Sequence, residues 1–299
     1  MLVLVTGGTG FVGQQVIKEL LHRGHEARCL LRPGSEKKLP QAEDVQVVSG
    51  DVNQPQSLPP AMQGCDAVIH LVGIIREFPH RNITFQKLHV EATANVVAAA
   101  RQANIRRYLH MSALEAKPAP VASYHQTKQQ AEALVMASGL TYTIFRPSII
   151  YGPGDAFIKL FQQQIETLRL VPVIGDGRYQ LQPVPVWQVA QGFALALEKP
   201  NSENRSYDVG GPDPVTFNDL IDALAQVLKK PAFKLHLPVW PLRLAAELLQ
   251  GYSWFPVTAD QISMLLAGNT CDPSVFYQDF GLTPIPLPTG LASYLSATA

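Results

Sequence analysis

The chain has 299 residues, enough for one large domain or a core domain with a smaller lobe. Hydrophobic residues make up 46%, which excludes a disordered chain and supplies a sizeable core. Lysine plus arginine equals aspartate plus glutamate, at 24 each, so no net charge draws it to nucleic acid or an anionic membrane. The first strand opens at Leu2, leaving no room for a signal peptide, and no apolar run approaches the ~18 residues of a membrane span. Cys29, Cys65 and Cys271 are odd in number and lack metal-ligand spacing, so the expectation is a reducing, cytoplasmic setting and no metal site.

The first predicted strand, Leu2–Thr6, runs into Gly7-x-x-Gly10-x-x-Gly13 and then into a predicted helix over Phe11–Arg23. Gly7 suits a tight turn, Gly10 admits a diphosphate close to the backbone, and Gly13 lets helix and strand approach. The helix N-terminus, with Phe11 and Val12 in its first turn, offers free N–H groups to phosphates. Strand, glycines and helix together mark a dinucleotide site. Further strands are predicted at Glu26–Leu31, Val45–Ser49, Ala67–Leu71, Arg107–Met111 and Tyr142–Arg146, with helices at Phe85–Ala103 and Ser123–Ser138. This alternation predicts an α/β doubly wound parallel sheet. Fifteen of the 24 prolines lie at or after Pro153, which predicts a smaller C-terminal α/β lobe. The expected division is a dinucleotide-binding domain over 1–151 with a returning segment 182–210, and a substrate lobe over 152–181 and 211–299. Gln188–Leu197 and Ser206–Val209 are read as the returning helix and edge strand.

The second strand ends in Leu31-Arg32 with no acid, and Arg28 lies nearby. An arginine there accommodates a 2′-phosphate where an acid would bond a 2′-hydroxyl, so NADP(H) is favoured over NAD(H). Asp51 is placed to accept from an adenine amine with Val52 over the ring; capping the turn from Asn53 is its competing use. After the fourth strand, Leu71 and Gly73 let backbone approach the nicotinamide ribose, while His70 reads as a core histidine. On the helix after strand five, Tyr124 and Lys128 share one face at i, i+4. A lysine ammonium beside a phenol is expected to lower its pKa, fitting Tyr124 as general acid or base and Lys128 to hold the ribose.

With these residues in place, the chain resembles the extended or atypical short-chain dehydrogenases/reductases, which include the NAD-dependent epimerases and dehydratases. The marks are Thr6–Gly13, Asp51, Tyr124/Lys128, Arg146–Pro153 and Tyr207–Pro212. Within the family it is similar to the branch of the NADPH-binding accessory subunit of respiratory complex I. The resemblance implies that Pro147 lines the nicotinamide pocket, and that the segment after Tyr151 helps form the substrate cleft. It also implies a dimer through the helices Phe85–Ala103 and Ser123–Ser138.

Three departures bear on function. Leu114 stands where the family's third catalytic residue, a Ser or Thr, belongs, and Ser112 lies two residues earlier. Trp187 replaces an acidic helix start, and His89 stands where many members have Asn. Leu235–Leu249 and Tyr252–Pro256 are apolar and aromatic, suiting a lobe core, a lipophilic substrate or a membrane-complex partner. The leading reading is an NAD(P)-dependent oxidoreductase acting on a small molecule, with Tyr124, Lys128 and, more weakly, Ser112 as catalytic candidates. The alternatives are a non-catalytic NADP(H)-binding assembly factor of a respiratory or membrane complex, and a nucleotide-sugar epimerase or dehydratase.

Overall fold

In a computed structural model, which describes residues 1–39, 42–114, 122–250, 252, 255 and 257–295, the first half of the chain forms a parallel sheet. Its strands are β1 (Leu2–Thr6), β2 (Glu26–Leu31), β3 (Gln46–Ser49), β4 (Ala67–His70), β5 (Arg107–Met111) and β6 (Thr141–Pro147). The strand Arg205–Val209 closes one edge against β6, giving seven strands in the order 205–209, β6, β5, β4, β1, β2, β3. Every pairing is parallel. β1 and β4 are neighbours, so the strand order reverses there and a crevice opens at the strands' carboxyl ends, where such sheets bind ligands.

Helix α1 (Phe11–His22) follows the glycine turn and buries Val16, Ile17 and Leu20 completely against the sheet. Burying each such side chain contributes about 1.5–3 kcal/mol. Gly24, in the left-handed region at φ 77°, follows the helix end. On the opposite face lie α2 (Leu58–Met62), α3 (Ala92–Gln102) and α4 (Ser123–Met136). The helix expected over Phe85–Ala103 is not uniform: Gln86–Glu91 is wound as a π-helix before α3 begins. Such bulges gather at functional sites because they re-aim side chains, and this one carries His89.

The returning segment supplies a helix, Val186–Glu198, packed on α1, and the edge strand Arg205–Val209. A separate apolar cluster gathers Ile158, Phe161, Phe217, Leu220, Ile221 and Leu291 beside the parallel strand pair Leu170–Ile174 and Phe233–Leu237. Among the described residues, no helix is long and apolar enough to cross a membrane. Ser253, Trp254 and Pro256 of the apolar stretch lie outside the described residues.

Candidate functional site

The crevice begins with the glycine turn. Gly7 is in the left-handed region at φ 80°, and a Cβ there would also press on the Leu71 and Val72 backbone at 3.0–3.1 Å. A Cβ on Gly13 would lie 2.2 Å from the Gly7 carbonyl oxygen, so only glycine lets α1 sit this close to β1. α1 starts at Gly10 with no side-chain cap and no acid in its first turn. Its N–H groups and positive dipole end therefore face the crevice uncompensated, which fits a diphosphate. Phe11 is half-buried, whereas Val12 is buried in the core.

A cleft of about 420 Å³ opens at the ends of β4 and β5. Leu71, Gly73, Ile74, Ile75, Arg76, Met111, Ser112, Tyr124 and Lys128 line it. The structure thus brings together five residues singled out in the sequence: Leu71, Gly73, Ser112, Tyr124 and Lys128. A Cβ on Gly73 would stand 3.1 Å from Lys128 Nζ, so the glycine leaves room for the ammonium at this end of the cleft. Ser112 is 3% exposed, borders the cleft, and its hydroxyl has no hydrogen-bond partner among the described residues. Leu114 is buried, donates its N–H to the Pro147 carbonyl at 3.0 Å, and does not border the cleft. Pro147 is also buried and set back, contrary to the expectation that it lines the pocket. Its carbonyl is used to hold the loop after β5 in place.

α4 turns an unusual face to the sheet, burying His125, Thr127, Lys128 and Glu132 among Ala131 and Val135. Lys128 Nζ donates to the Met111 carbonyl at 3.0 Å. Burial drives its pKa down to about 8, although Glu132, one turn on, opposes the fall. Glu132 is in turn held by Arg146, whose Nε lies 2.9 Å from Oε1. Sequence spacing could have flagged Glu132, since it shares the face of Tyr124 and Lys128. For Tyr124 the expected lowering is overturned: burial pushes its pKa up to about 12. The phenol sits edge-on to Phe85 and His89, at 5.7 and 5.3 Å between ring centres, and this burial disfavours its charged form.

His89 bridges two elements. Its Nδ1 shares a 2.9 Å hydrogen bond with the Thr127 hydroxyl on α4, and its Nε2 meets the Ile74 backbone, 3.1 Å from the carbonyl oxygen and 3.2 Å from the nitrogen. His89 so ties the cleft loop to α4. His70 is fully buried, shares a 2.6 Å hydrogen bond with Thr6, and titrates only near about 3 because burial disfavours its charge. Unfolded, it protonates near 6.5. Between those values the unfolded chain binds more protons, so stability falls as pH drops, by about 1.4 kcal/mol per pH unit for each such histidine. Urea midpoints measured from pH 7 to pH 4.5 should decline accordingly, and His70→Gln should flatten the decline; identical slopes would refute this account.

Arg76 was not legible in the sequence. It lines the cleft, yet its guanidinium donates to the Phe255, Gln250 and Tyr252 carbonyls at 2.7, 2.8 and 2.8 Å. Partners some 174 residues away leave no local signal. The contact latches the end of the helix Val239–Leu249 to the cleft.

At the far end of the crevice, Arg32 is exposed at the tip of β2. Arg28 does not assist it: its guanidinium is spent on Gln46 and the Ala61 and Gln63 carbonyls. Asp51 closes an Asx turn, accepting from the Asn53 N–H at 2.9 Å, as its competing reading held. Val52 is buried beside Leu30 and Leu58 rather than displayed to a ring. Trp187 packs between core clusters and Tyr151, not at the cleft. In the second lobe a hollow of about 630 Å³ is bordered by Asp176, Arg178 and His236. Lys159 and Arg169, the other basic residues nearby in sequence that could meet a nucleotide-sugar diphosphate in this lobe, do not border it.

Comparison with known proteins agrees with this geometry. Residues 7–164 match the family model described as NAD(P)H-binding. The chain is 30% identical to a ketoreductase of a farnesylated dihydroquinoline oxide from Stigmatella aurantiaca, over 83% of this chain and 79% of that protein. It is 23% identical to the mitochondrial 40 kDa subunit of NADH-ubiquinone oxidoreductase from Neurospora crassa, over 98% of this chain and 78% of that one. Among solved structures, UDP-glucuronic acid 4-epimerase from Bacillus cereus in complex with UDP-glucuronic acid and NAD superposes with a TM-score of 0.78 at 20% identity, each chain fully covered. With the uncapped helix over a glycine turn, the Tyr/Lys cleft at the strand ends and these matches in agreement, the chain belongs to the NAD(P)H-binding short-chain dehydrogenases/reductases, in their extended branch.

Proposed function

We propose that the protein reduces a ketone on a lipophilic small molecule, using NADPH in preference to NADH. The observation that carries this reading is the cleft itself: Tyr124, Lys128 and the Ser112 hydroxyl converge in one space whose other walls are Leu71, Gly73, Ile74, Ile75 and Met111. Arg76 is a further charged side chain there, its guanidinium held by C-terminal carbonyls. When bound, a reduced nicotinamide supplies a hydride. The glycine turn and the α1 N-terminus would hold its diphosphate, and Lys128 and Gly73 would meet the ribose. Ser112 and Tyr124 bond the substrate oxygen, and Tyr124, protonated at neutral pH, delivers a proton to it. Burial, which pushes the phenol up to about 12, keeps it protonated at neutral pH, the form that donates. The apolar walls and the farnesylated substrate in the name of the Stigmatella relative support a lipophilic ketone. Three unpaired cysteines suit a cytoplasmic setting.

The test is loss of reduced-nicotinamide absorbance when the purified protein meets prenylated or long-chain ketones. Turnover with these and not with short polar ketones is expected; no turnover with any carbonyl overturns the reading. The NADPH preference rests on Arg32 alone. Arg32→Ala should weaken NADPH binding roughly tenfold or more while sparing NADH, the loss of one charge-assisted phosphate contact. Equal effects on both cofactors would remove the preference.

One observation favours a non-catalytic role in a membrane complex. On the helix Val239–Leu249, Trp240, Leu244 and Leu248 are exposed at i, i+4 and i+8, an apolar ridge suited to a partner surface. The similarity to a respiratory-complex subunit points the same way. That role predicts cofactor binding without turnover.

A further inference from the structure

Beneath the cleft, on the sheet face covered by α3 and α4, polar side chains stand where an α/β core normally holds aliphatic ones. Thr6, His70 and His110 occupy matched register positions on β1, β4 and β5. Tyr108 lies two residues back on β5, on the same face. All four are no more than 1% exposed. The His70 and His110 rings stack with centres 5.6 Å apart, and the Tyr108 ring lies 6.4 Å from each.

The Thr6–His70 hydrogen bond satisfies one edge of this ladder. His70 Nε2, Tyr108 Oη and both ring nitrogens of His110 are buried without a hydrogen-bond partner among the described residues, as is the Ser112 hydroxyl two residues beyond His110. Both imidazoles are neutral, because they are buried and lie within reach of the Lys128 charge. Each neutral ring offers one donor and one acceptor. Buried polar atoms in native proteins are paired with protein or with ordered water, and a buried water needs about two to four polar partners. The clustered atoms of the ladder provide them.

We propose that His70, Tyr108 and His110 enclose a site for ordered water, and that this water solvates the Lys128 ammonium from the side away from the cleft. His110, both of whose nitrogens are available, is then a positioning residue for the charge at the site. The other titratable groups around Lys128 are Tyr124 and Glu132 on its own helix, His89 on the π-helical segment, and Arg76 across the cleft. Glu132 is committed to Arg146, His89 to Thr127 and Ile74, and Arg76 to the carbonyls of the C-terminal lobe. Water on the ladder adds acceptors for the ammonium that these groups leave unsupplied.

The proposal touches the reductase reading through Lys128 alone, and its test needs no turnover. Protein carrying 13C at lysine Cε is titrated by NMR, the Lys128 signal being the one lost in Lys128→Arg. The wild type should titrate near 8. His110→Leu, which removes both nitrogens, should lower the midpoint by about one unit, a tenfold change in proton affinity. His110→Gln, which restores a donor and an acceptor, should return it to within about 0.3 unit. Tyr108→Phe removes a single hydroxyl and gives a smaller shift in the same direction, readable even where His110→Leu does not fold. A high-resolution crystal structure of the wild type should show water bonded to His110 or Tyr108. Unshifted midpoints in the folded variants, or a dry ladder in that crystal structure, overturn the proposal. A protein inert toward every carbonyl would end the reductase reading and leave both readouts intact.

Discussion

Tyr124→Phe is expected to abolish carbonyl reduction, a fall of roughly 100- to 10,000-fold, the range general-acid catalysis supplies. The substitution keeps the ring that packs edge-on against Phe85 and His89, so α4 and the cleft loop should stay in place. NADPH affinity should change by no more than about twofold. Turnover that survives the substitution would remove Tyr124 from the chemistry, whatever happened to binding. The two pKa displacements predict the pH profile as well. Lys128 loses its charge as pH rises through about 8, while Tyr124 keeps its proton until about 12. Reduction should therefore hold on the acid side of pH 8 and decline above it, with the limb set by the lysine. A decline appearing only near the tyrosine value would show that the ammonium does not contribute.

Gly13→Ala should have the second-largest effect. Its Cβ would stand 2.2 Å from the Gly7 carbonyl oxygen and 2.7 Å from the Gly8 Cα. All of these are backbone atoms, so no rotamer change relieves the clash, and α1 must move away from β1. Overpacking of this kind costs about 1–3 kcal/mol or more. Because the same helix end meets the diphosphate, NADPH affinity should fall at least tenfold together with the melting temperature. Gly10→Ala separates packing from binding: its Cβ meets only the Gly7 carbonyl oxygen, at 3.2 Å, so the melting temperature should hold while the diphosphate's approach, and with it NADPH affinity, is impaired. A Gly13→Ala protein with unchanged cofactor affinity would show that the close approach serves packing alone.

Most of the fold and half of the site were legible in the sequence because their signals are local. The glycine turn, the β-branched strands and the i, i+4 pair Tyr124/Lys128 each state a backbone or helix-face requirement within a few residues. The strands fell where periodicity placed them, to within a residue or two at their ends. The Phe85–Ala103 helix was read as continuous because a π-bulge leaves the apolar pattern nearly unchanged. Arg28 and Val52 were misjudged for a different reason. A residue near a strand end can face the ligand or the core, and only the packed neighbours Gln46, Ala61, Leu30 and Leu58 decide which. Leu114 is buried beside Pro147, whereas Ser112 borders the cleft, a difference the two-residue offset in sequence does not reveal.

The sequence by itself determined that this chain binds a dinucleotide and carries a tyrosine and a lysine on one helix face. Those are statements about backbone sterics and helical period, which need no distant partner. Tertiary structure decided the charge state of that pair: burial raises Tyr124 and lowers Lys128, against the expectation from their adjacency. It also decided that Arg76 joins the cleft to the C-terminal lobe, and that His70 and His110 stack beneath the lysine. Desolvation and long-range contact depend on what surrounds a residue in space, and the order of residues along the chain does not carry that information.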